Sequence, residues 1–178
     1  MNNHGIEFLM GGALLLFGAF AFVIGRKQKT TTDNGNMNNK NLPRGYRNNN
    51  PLNLRISNNN WAGKVYNNTD GAFEQFSSMA YGYRAAFMTI RNYIHKYRIY
   101  TVSGIIYRWA PASENNTEGY IKRVCSISGM QADTVIDPNN EKQMEKLVYA
   151  MSIVENGTKP TPDKNAIVQG WTLYIMAL

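Results

Sequence analysis

Residues 43–55 read Pro-Arg-Gly-Tyr-Arg-Asn-Asn-Asn-Pro-Leu-Asn-Leu-Arg, and the rest of the chain is organised around them. Pro51 biases Asn50 towards extended backbone, and asparagines favour caps and turns, so we expect no helix in this stretch. The three adjacent amides of Asn48 to Asn50 offer hydrogen-bond donors and acceptors side by side. This suits a ligand rich in hydroxyl and acetamide groups. The alternative is a turn-rich loop that binds nothing, since asparagine-rich turns are common.

The chain before this stretch contains a strongly apolar, uncharged run of 17 residues, Phe8 to Ile24. That length reaches the lower limit for a transmembrane helix. A basic cluster follows the run instead of preceding it, which is the wrong order for a signal peptide. We therefore expect an N-terminal transmembrane anchor in residues 1–25, with the basic cluster on the cytoplasmic side of a cell membrane. Residues 26–42 are polar and predict a flexible linker to a domain at 43–178.

Charge is distributed unevenly along the 178 residues, whose formal net charge is +7. From Lys40 to Arg123 there are twelve Lys and Arg against four Asp and Glu, whereas the segment from Val124 to the end has four against six. The first part of the domain is therefore expected to face an anionic partner. The single cysteine, Cys125, excludes an internal disulfide. His4 and His95 are isolated, so we expect no metal site and no cofactor.

The first part of the domain predicts a small antiparallel sheet, which makes the expected fold class α+β and mainly helical. Three short segments are rich in residues that favour strands. They are Leu54–Ile56, Trp61–Tyr66 and Ala72–Phe76. Asp70-Gly71 lies between the last two and is a strong hairpin signal.

Helical periodicity covers the remainder of the domain. The first of these helices has an apolar stripe from Ala80 to Tyr97 that we assign to the core. Caps and breakers define the helix ends. The expected helices are Ser77 or Ser78 to about Arg98, Val102 to Ala110, Thr117 to Ser128, Asp137-Pro138 to Glu155, and Asp163 to the end.

Glu155 is the first candidate for a catalytic acid, because it ends an apolar helix just before Asn156-Gly157. The negative end of the helix dipole raises the pKa of a carboxyl group there, and a general acid must stay protonated near neutral pH. The alternative is a surface glutamate in a frayed last turn. Glu74 is the second candidate, facing either a cleft beside the sheet or solvent. Glu114 is the third, or else an ordinary loop residue.

A series of motifs in the domain resembles a family of phage virion proteins that are described as lysozyme-like and peptidoglycan-cleaving. The motifs, in chain order, are Arg44–Arg55, Trp61–Gly63, Phe73–Phe76, Tyr81–Ala85, Arg108–Pro111, Glu114–Thr117, Tyr120-Ile121 and Glu155–Gly157. The resemblance covers 43–178 and implies a lysozyme-like domain in a virion. Together with the apolar run, it implies anchoring in an internal virion membrane. The implied partners are peptidoglycan strands, the lipid membrane and other virion membrane or capsid proteins.

A weaker similarity links the domain to bacterial glucosaminidases and lytic transglycosylases. Its elements, in similar order, are Asn49–Leu54, Trp61, Glu74, Arg108, Thr117 and Tyr120. In those enzymes the helix that carries the catalytic glutamate precedes the asparagine-rich segment, whereas only linker precedes it here. Either the acid helix has moved to the end of the chain, which makes Glu155 the acid, or the acid is lost and the domain only binds glycan. We expect the first.

The resemblance implies cleavage of the β-1,4 bond between N-acetylmuramic acid and N-acetylglucosamine. Glu155 would protonate the leaving oxygen, and the acetamide or 6-hydroxyl of the substrate would complete a substrate-assisted reaction. Whether the product is hydrolysed or an anhydro sugar stays open. Glu74 would orient water or stabilise positive charge on the sugar. The expected substrate-binding residues are Asn49, Asn53, Thr117 and Tyr120, the last of them at the acetamide.

Two further readings use the same residues. A non-catalytic virion membrane protein would keep the domain as a scaffold or a glycan-binding module. The third hypothesis is a basic domain that packs the genome under the virion membrane. Only the positive charge supports it, so we do not expect nucleic acid to be a partner.

Overall fold

Six helices form in residues 41–178, which are the residues that our computed structural model describes. The helices are α1 (Arg44–Arg47), α2 (Met79–Tyr97), α3 (Val102–Trp109), α4 (Thr117–Ser128), α5 (Glu141–Asn156) and α6 (Lys164–Ile175). Within this range, no helix combines the length and the apolar content that crossing a bilayer requires. The expected anchor at 1–25, like linker residues 26–40, lies outside the described residues.

The expected α+β class is wrong for the described part of the chain, which is helical and contains neither a strand nor a sheet. The three segments that predict strands meet only through isolated antiparallel bridges, Arg55 with Phe73 and Lys64 with Phe76. A third bridge joins Thr101 to Val135 in front of α3. The lysozyme-like arrangement with a small sheet is therefore replaced by helices that pack beside an irregular segment at residues 48–77.

Side-chain amides explain why no ladder forms in this segment. The Asn50 amide donates to the carbonyl oxygens of Leu54 and Glu74, both at 2.9 Å, and its oxygen accepts from the Leu54 N–H at 2.9 Å. Asn49 donates in the same way to the carbonyl of Phe76 at 3.0 Å. These amides occupy hydrogen-bonding positions that a neighbouring strand fills in a sheet.

The expectation that residues 43–55 contain no helix is also wrong at their start, where α1 makes one turn. The carbonyl oxygen of Pro43 accepts from the N–H groups of Tyr46 and Arg47 at 3.0 and 3.1 Å. Proline suits this position because its ring does not block a turn that begins after it. The asparagines then end the helix, and Asn49 and Asn53 both adopt the left-handed conformation, each with φ of 50°. Asparagine tolerates that conformation better than most residues.

The sequence predicted α2, α3 and α4 to within about two residues and α6 to within about three, but the start of α5 was misplaced. Asn140 caps α5 by accepting from the N–H of Gln143 at 3.2 Å. Asp137 instead accepts from the N–H of Asn139 at 2.9 Å, so its side chain closes a turn ahead of the helix. Tyr97 is the second correction, because it is 44% exposed and lies outside the core.

Helix α2 is the centre of the core and packs most extensively against α6. Phe87 on α2 contacts Trp171 edge-on at 5.4 Å between ring centroids and Tyr174 at 5.8 Å. Burying side chains of this size stabilises the fold by about 1.5–3 kcal/mol each. Tyr83 donates from the same helix to Ser152 on α5 at 3.3 Å. The core thus fixes α5, whose last turn carries Glu155.

Candidate active site

The end of α5 is attached directly to the asparagine-rich loop. Asn156 is buried and donates to the carbonyl oxygens of Pro51 at 2.7 Å and Ser152 at 3.0 Å. Gly157 follows with φ of +81°, a conformation that glycine adopts without strain, so the chain leaves the helix at once. This attachment, between positions 105 residues apart, holds the preceding residue, Glu155, against the loop.

Two side chains from distant parts of the chain hold the Glu155 carboxyl group. The Asn53 amide donates to Oε2 at 3.0 Å, and the Tyr120 hydroxyl donates to Oε1 at 2.9 Å. The left-handed backbone of Asn53 belongs to the loop, whereas Tyr120 lies on α4. The structure therefore brings together three of the residues that the sequence selected: Glu155, Asn53 and Tyr120.

Burial raises the pKa of Glu155 above its ordinary value, and the hydrogen bonds from Asn53 and Tyr120 act in the opposite direction. The net direction is upward, because desolvation disfavours the charged form more than these donors favour it. Burial also raises the pKa of Tyr120 well above its ordinary range, and the neighbouring Glu155 adds to that shift. Tyr120 is therefore a stable hydroxyl donor, and Glu155 is a carboxyl group that keeps its proton to higher pH than an exposed glutamate.

Glu155 and Asn53 line a cleft with a volume of about 380 Å³. Three aromatic residues line the same cleft: Phe73, Tyr93 and Trp109. A sugar presents flat apolar faces and polar edges, and a cleft with aromatic walls and a few polar groups matches both.

An exposed ion pair lies at this cleft. Arg55 and Glu114 both line it and approach to 2.8 Å, with side chains 72% and 58% exposed. Exposed pairs of this kind contribute only about 0–1 kcal/mol, so a ligand separates them at little cost.

Glu74 does not line the cleft, although the sequence selected it as a second catalytic residue. Its side chain is fully buried, and Oε1 accepts from the N–H of Ser57 at 2.9 Å and from Nζ of Lys64 at 3.0 Å. These contacts hold Ser57 and Lys64 against Glu74 inside the irregular segment. This geometry does not favour the predicted role of Glu74 in orienting water.

Asn49 and Thr117, which were predicted to bind substrate, make structural contacts near the cleft instead of lining it. Asn49 donates to the carbonyl of Phe76, as described above. The buried hydroxyl of Thr117 donates to the carbonyl of Ala110 at 2.6 Å, which links the start of α4 to the residue after α3. Thr117 thereby positions Trp109 and Tyr120 relative to each other.

Sequence reasoning assigned no role to the aromatic lining of the cleft. Trp109 lies in the Arg108–Pro111 motif, which was quoted only for its resemblance. Tyr93 lies on α2 beside the core stripe and is partly exposed. The available signal was that both are large aromatic residues flanking an apolar stripe without belonging to it.

No family model matches this chain. Comparison with individual proteins nevertheless shows that the chain belongs to a family of phage proteins. The relative that establishes this is protein P5 of Pseudoalteromonas phage PM2, to which the chain is 37% identical over 120 residues. The aligned part spans 66% of this chain and 73% of protein P5. The phage association that the motifs indicated is thereby confirmed.

Proposed function

We propose that this protein is a phage virion protein that cleaves β-1,4 glycosidic bonds in host peptidoglycan. The observation that carries the proposal is the position of Glu155, a carboxyl group of raised pKa that lines a cleft with aromatic walls. Membership of a phage protein family supports the phage part, and the motif resemblance supports the virion location and the substrate. The proposal concerns residues 41–178.

Glu155 acts as the general acid. Its proton passes to the glycosidic oxygen as the bond from that oxygen to the sugar carbon breaks, and positive charge develops on the sugar. A water molecule can then attack this carbon and return a proton to the Glu155 carboxylate, which completes hydrolysis. Attack by the sugar's own 6-hydroxyl instead yields an anhydro product.

The substrate supplies the group that stabilises the positive charge. Among the described residues, Glu114 is the only other carboxylate that lines the cleft, and it is paired with Arg55. The acetamide oxygen of the sugar can therefore take the place of a second carboxylate, as in substrate-assisted glycosidases.

Asn53 and Tyr120 become more important after the proton has left. Their donors already point at both Glu155 oxygens, so the new carboxylate is stabilised without rearrangement. The carbonyl oxygen of the Asn53 side chain is buried and has no hydrogen-bond partner within residues 41–178.

A scaffold or glycan-binding module without catalysis is the second candidate. The observation that favours it is the pair of hydrogen bonds to Glu155, because a purely structural buried glutamate needs the same partners. Catalysis and structure therefore have to be separated by experiment.

The experiment incubates the purified full chain with purified peptidoglycan sacculi and identifies soluble products by liquid chromatography and mass spectrometry. We expect released muropeptides whose ends, reducing or anhydro, distinguish hydrolysis from transglycosylation. If the native chain releases nothing but sediments with the sacculi, the non-catalytic module replaces the enzyme.

A further inference from the structure

A row of three aromatic rings leads out of the cleft along the surface of α2 and α3. Trp109 and Tyr93 line the cleft, and their ring centroids are 6.2 Å apart. Tyr97 lies one helical turn beyond Tyr93 at 6.4 Å and is 44% exposed. We call Trp109, Tyr93 and Tyr97 the aromatic row. Only its first two members belong to the cleft, so the third needs a separate explanation.

Arg108 lies on this row. Its guanidinium carbon is 3.6 Å from the Tyr97 ring centroid and 5.0 Å from that of Tyr93. Within the described residues, the guanidinium N–H groups of Arg108 donate no hydrogen bond and pair with no carboxylate. Stacking on aromatic rings restricts an arginine side chain while leaving its donors open, which lowers the entropic cost of binding a carboxylate.

Positive charge is concentrated at the far end of the row. At the far end, the Lys96 ammonium lies 5.5 Å from the Tyr97 ring centroid, and Arg98 donates to the Tyr100 hydroxyl at 3.4 Å. Neither cation forms an ion pair within residues 41–178. At the cleft end, by contrast, Arg55 is already paired with Glu114, and burial raises the pKa of Glu155.

We propose that the aromatic row and Arg108 form a binding subsite that continues the cleft and takes the next, carboxylate-bearing portion of a wall glycan. The aromatic row supplies flat surfaces for sugar rings, and Arg108 binds a carboxylate of the lactyl group or the stem peptide. This inference rests on the proposed function, and it places the part of the glycan chain beyond the cleaved bond on the aromatic row.

Single-stranded nucleic acid is the other polymer that aromatic rings and arginines bind. The cleft at the end of the row disfavours it, because the only cation lining the cleft among the described residues, Arg55, is already paired with Glu114 and does not neutralise a phosphate. An acidic glycan avoids this conflict, since its carboxylates are substituents and its reacting oxygen is neutral. Binding of nucleic acid is therefore treated as an outcome of the test.

The test measures dissociation constants by titration calorimetry, using the full chain with Glu155→Gln to prevent turnover. The probes are soluble peptidoglycan fragments with stem peptides, uncharged N-acetylglucosamine oligomers, and oligothymidine. We expect Arg108→Gln to weaken binding of the acidic fragments about tenfold, the loss of one charge-assisted contact, and to leave the uncharged oligomers within about twofold. Tyr97→Ala should weaken the binding of long fragments of both glycans and leave the dissociation constants of the shortest fragments unchanged.

Two exposed residues outside the row provide matched controls. Arg123→Gln removes an exposed arginine from α4, and Tyr66→Ala removes a tyrosine that is 86% exposed. Both should bind every probe as the parent does. Thermal melts of all four variants confirm that the fold is retained.

The outcomes separate this inference from the proposed function. If the parent binds glycan and Arg108→Gln and Tyr97→Ala bind it equally well, the subsite is refuted and the proposed function stands. If the parent binds no glycan of any kind, the proposed function fails and the subsite fails with it. If oligothymidine binds more tightly than the acidic fragments and Arg108→Gln abolishes that binding, the row is a nucleic-acid surface and the glycan subsite is wrong.

Discussion

Asn50→Ala tests whether one buried amide holds the irregular segment together. Asn50 is fully buried, and its side chain makes three hydrogen bonds at 2.9 Å to backbone groups of Leu54 and Glu74. Alanine can make none of these. The variant therefore removes the side-chain hydrogen bonds that take the place of hydrogen bonds between strands.

The magnitude follows from which backbone groups are left without partners. The Leu54 carbonyl still accepts a hydrogen bond from the N–H of Glu74 at 2.8 Å, so losing the Asn50 donor costs this group little free energy. The Leu54 N–H and the Glu74 carbonyl lose the Asn50 side chain as their partner. A buried backbone group without a partner costs about 1–3 kcal/mol, so the variant should lose about 2–5 kcal/mol of the free energy of unfolding.

Urea denaturation of the full chain, followed by tryptophan fluorescence, measures this loss as a lower midpoint at unchanged slope. Asn58→Ala is the matched control, because Asn58 is exposed, and it should change the free energy of unfolding by less than about 0.5 kcal/mol. A loss below about 1 kcal/mol for Asn50→Ala would refute the reasoning.

Asn50→Asp sharpens the same prediction. A carboxylate only accepts hydrogen bonds, so it would face the carbonyls of Leu54 and Glu74 without a donor. The aspartate variant should be at least as unstable as the alanine variant at neutral pH and should recover part of the loss when it is protonated. Equal stability of the aspartate and native chains at neutral pH would show that the amide does not donate as described.

Three further predictions concern titratable groups. Burial raises the pKa of Glu155 in the folded protein. The free energy of unfolding of the native chain should therefore fall relative to that of Glu155→Gln as the pH rises from about 4.5 to the raised pKa. Urea denaturation at several pH values measures this difference, and a difference that stays constant with pH would contradict the prediction. Tyr120→Phe removes a hydrogen-bond donor to the Glu155 carboxylate, which raises the pKa of Glu155 further. The alkaline limb of the pH profile of kcat/KM should therefore move to higher pH. An unchanged limb would show that Tyr120 does not influence the pKa of the acid. The hydrogen bond from Arg44 lowers the pKa of Asp70. The Asp70→Asn variant should therefore be less stable than the native chain above about pH 3.8, and the two stabilities should converge as the pH falls below that value. Melting temperatures that diverge on acidification would contradict this prediction.

The long helices were predictable from sequence because local signals agree with tertiary packing. Gly129 ends α4 and Asp163 caps α6, as their chemistry predicts, whereas Ser78 occupies the N-cap position of α2 without a side-chain hydrogen bond. Where local signals were ambiguous, the structure differed. Asp137-Pro138 looks like a helix start, but the Asp137 side chain closes a turn and Asn140 takes over the cap.

The missing sheet shows the limit of strand propensity. The segments around Leu54 and Glu74 meet only at isolated bridges, because the buried Asn50 amide occupies pairing positions between them. Propensity describes how side chains suit a pleated surface, and it does not show that an amide from the same loop will replace the neighbouring strand.

The candidate site was partly predictable: the end of an apolar helix pointed to Glu155, and resemblance pointed to Asn53 and Tyr120. Spacing alone does not place Asn53 beside Glu155, since 102 residues separate them. The motif order suggested both, together with Tyr120. The aromatic walls were missed because Tyr93 and Trp109 meet only when α2 and α3 pack, which no periodicity along the chain reveals.

The central claim is that Glu155 donates the proton that breaks the glycosidic bond. The most direct test is the rate of muropeptide release from sacculi by native protein, Glu155→Gln and Glu141→Gln, measured across the pH range with melting temperatures checked in parallel. Glu141 is an exposed glutamate on the same helix, so its variant makes the same chemical change without touching the cleft. The account predicts that Glu155→Gln lowers the rate at least about 100-fold at every pH, whereas Glu141→Gln matches the native rate. A folded Glu155→Gln variant that releases muropeptides at the native rate would contradict it.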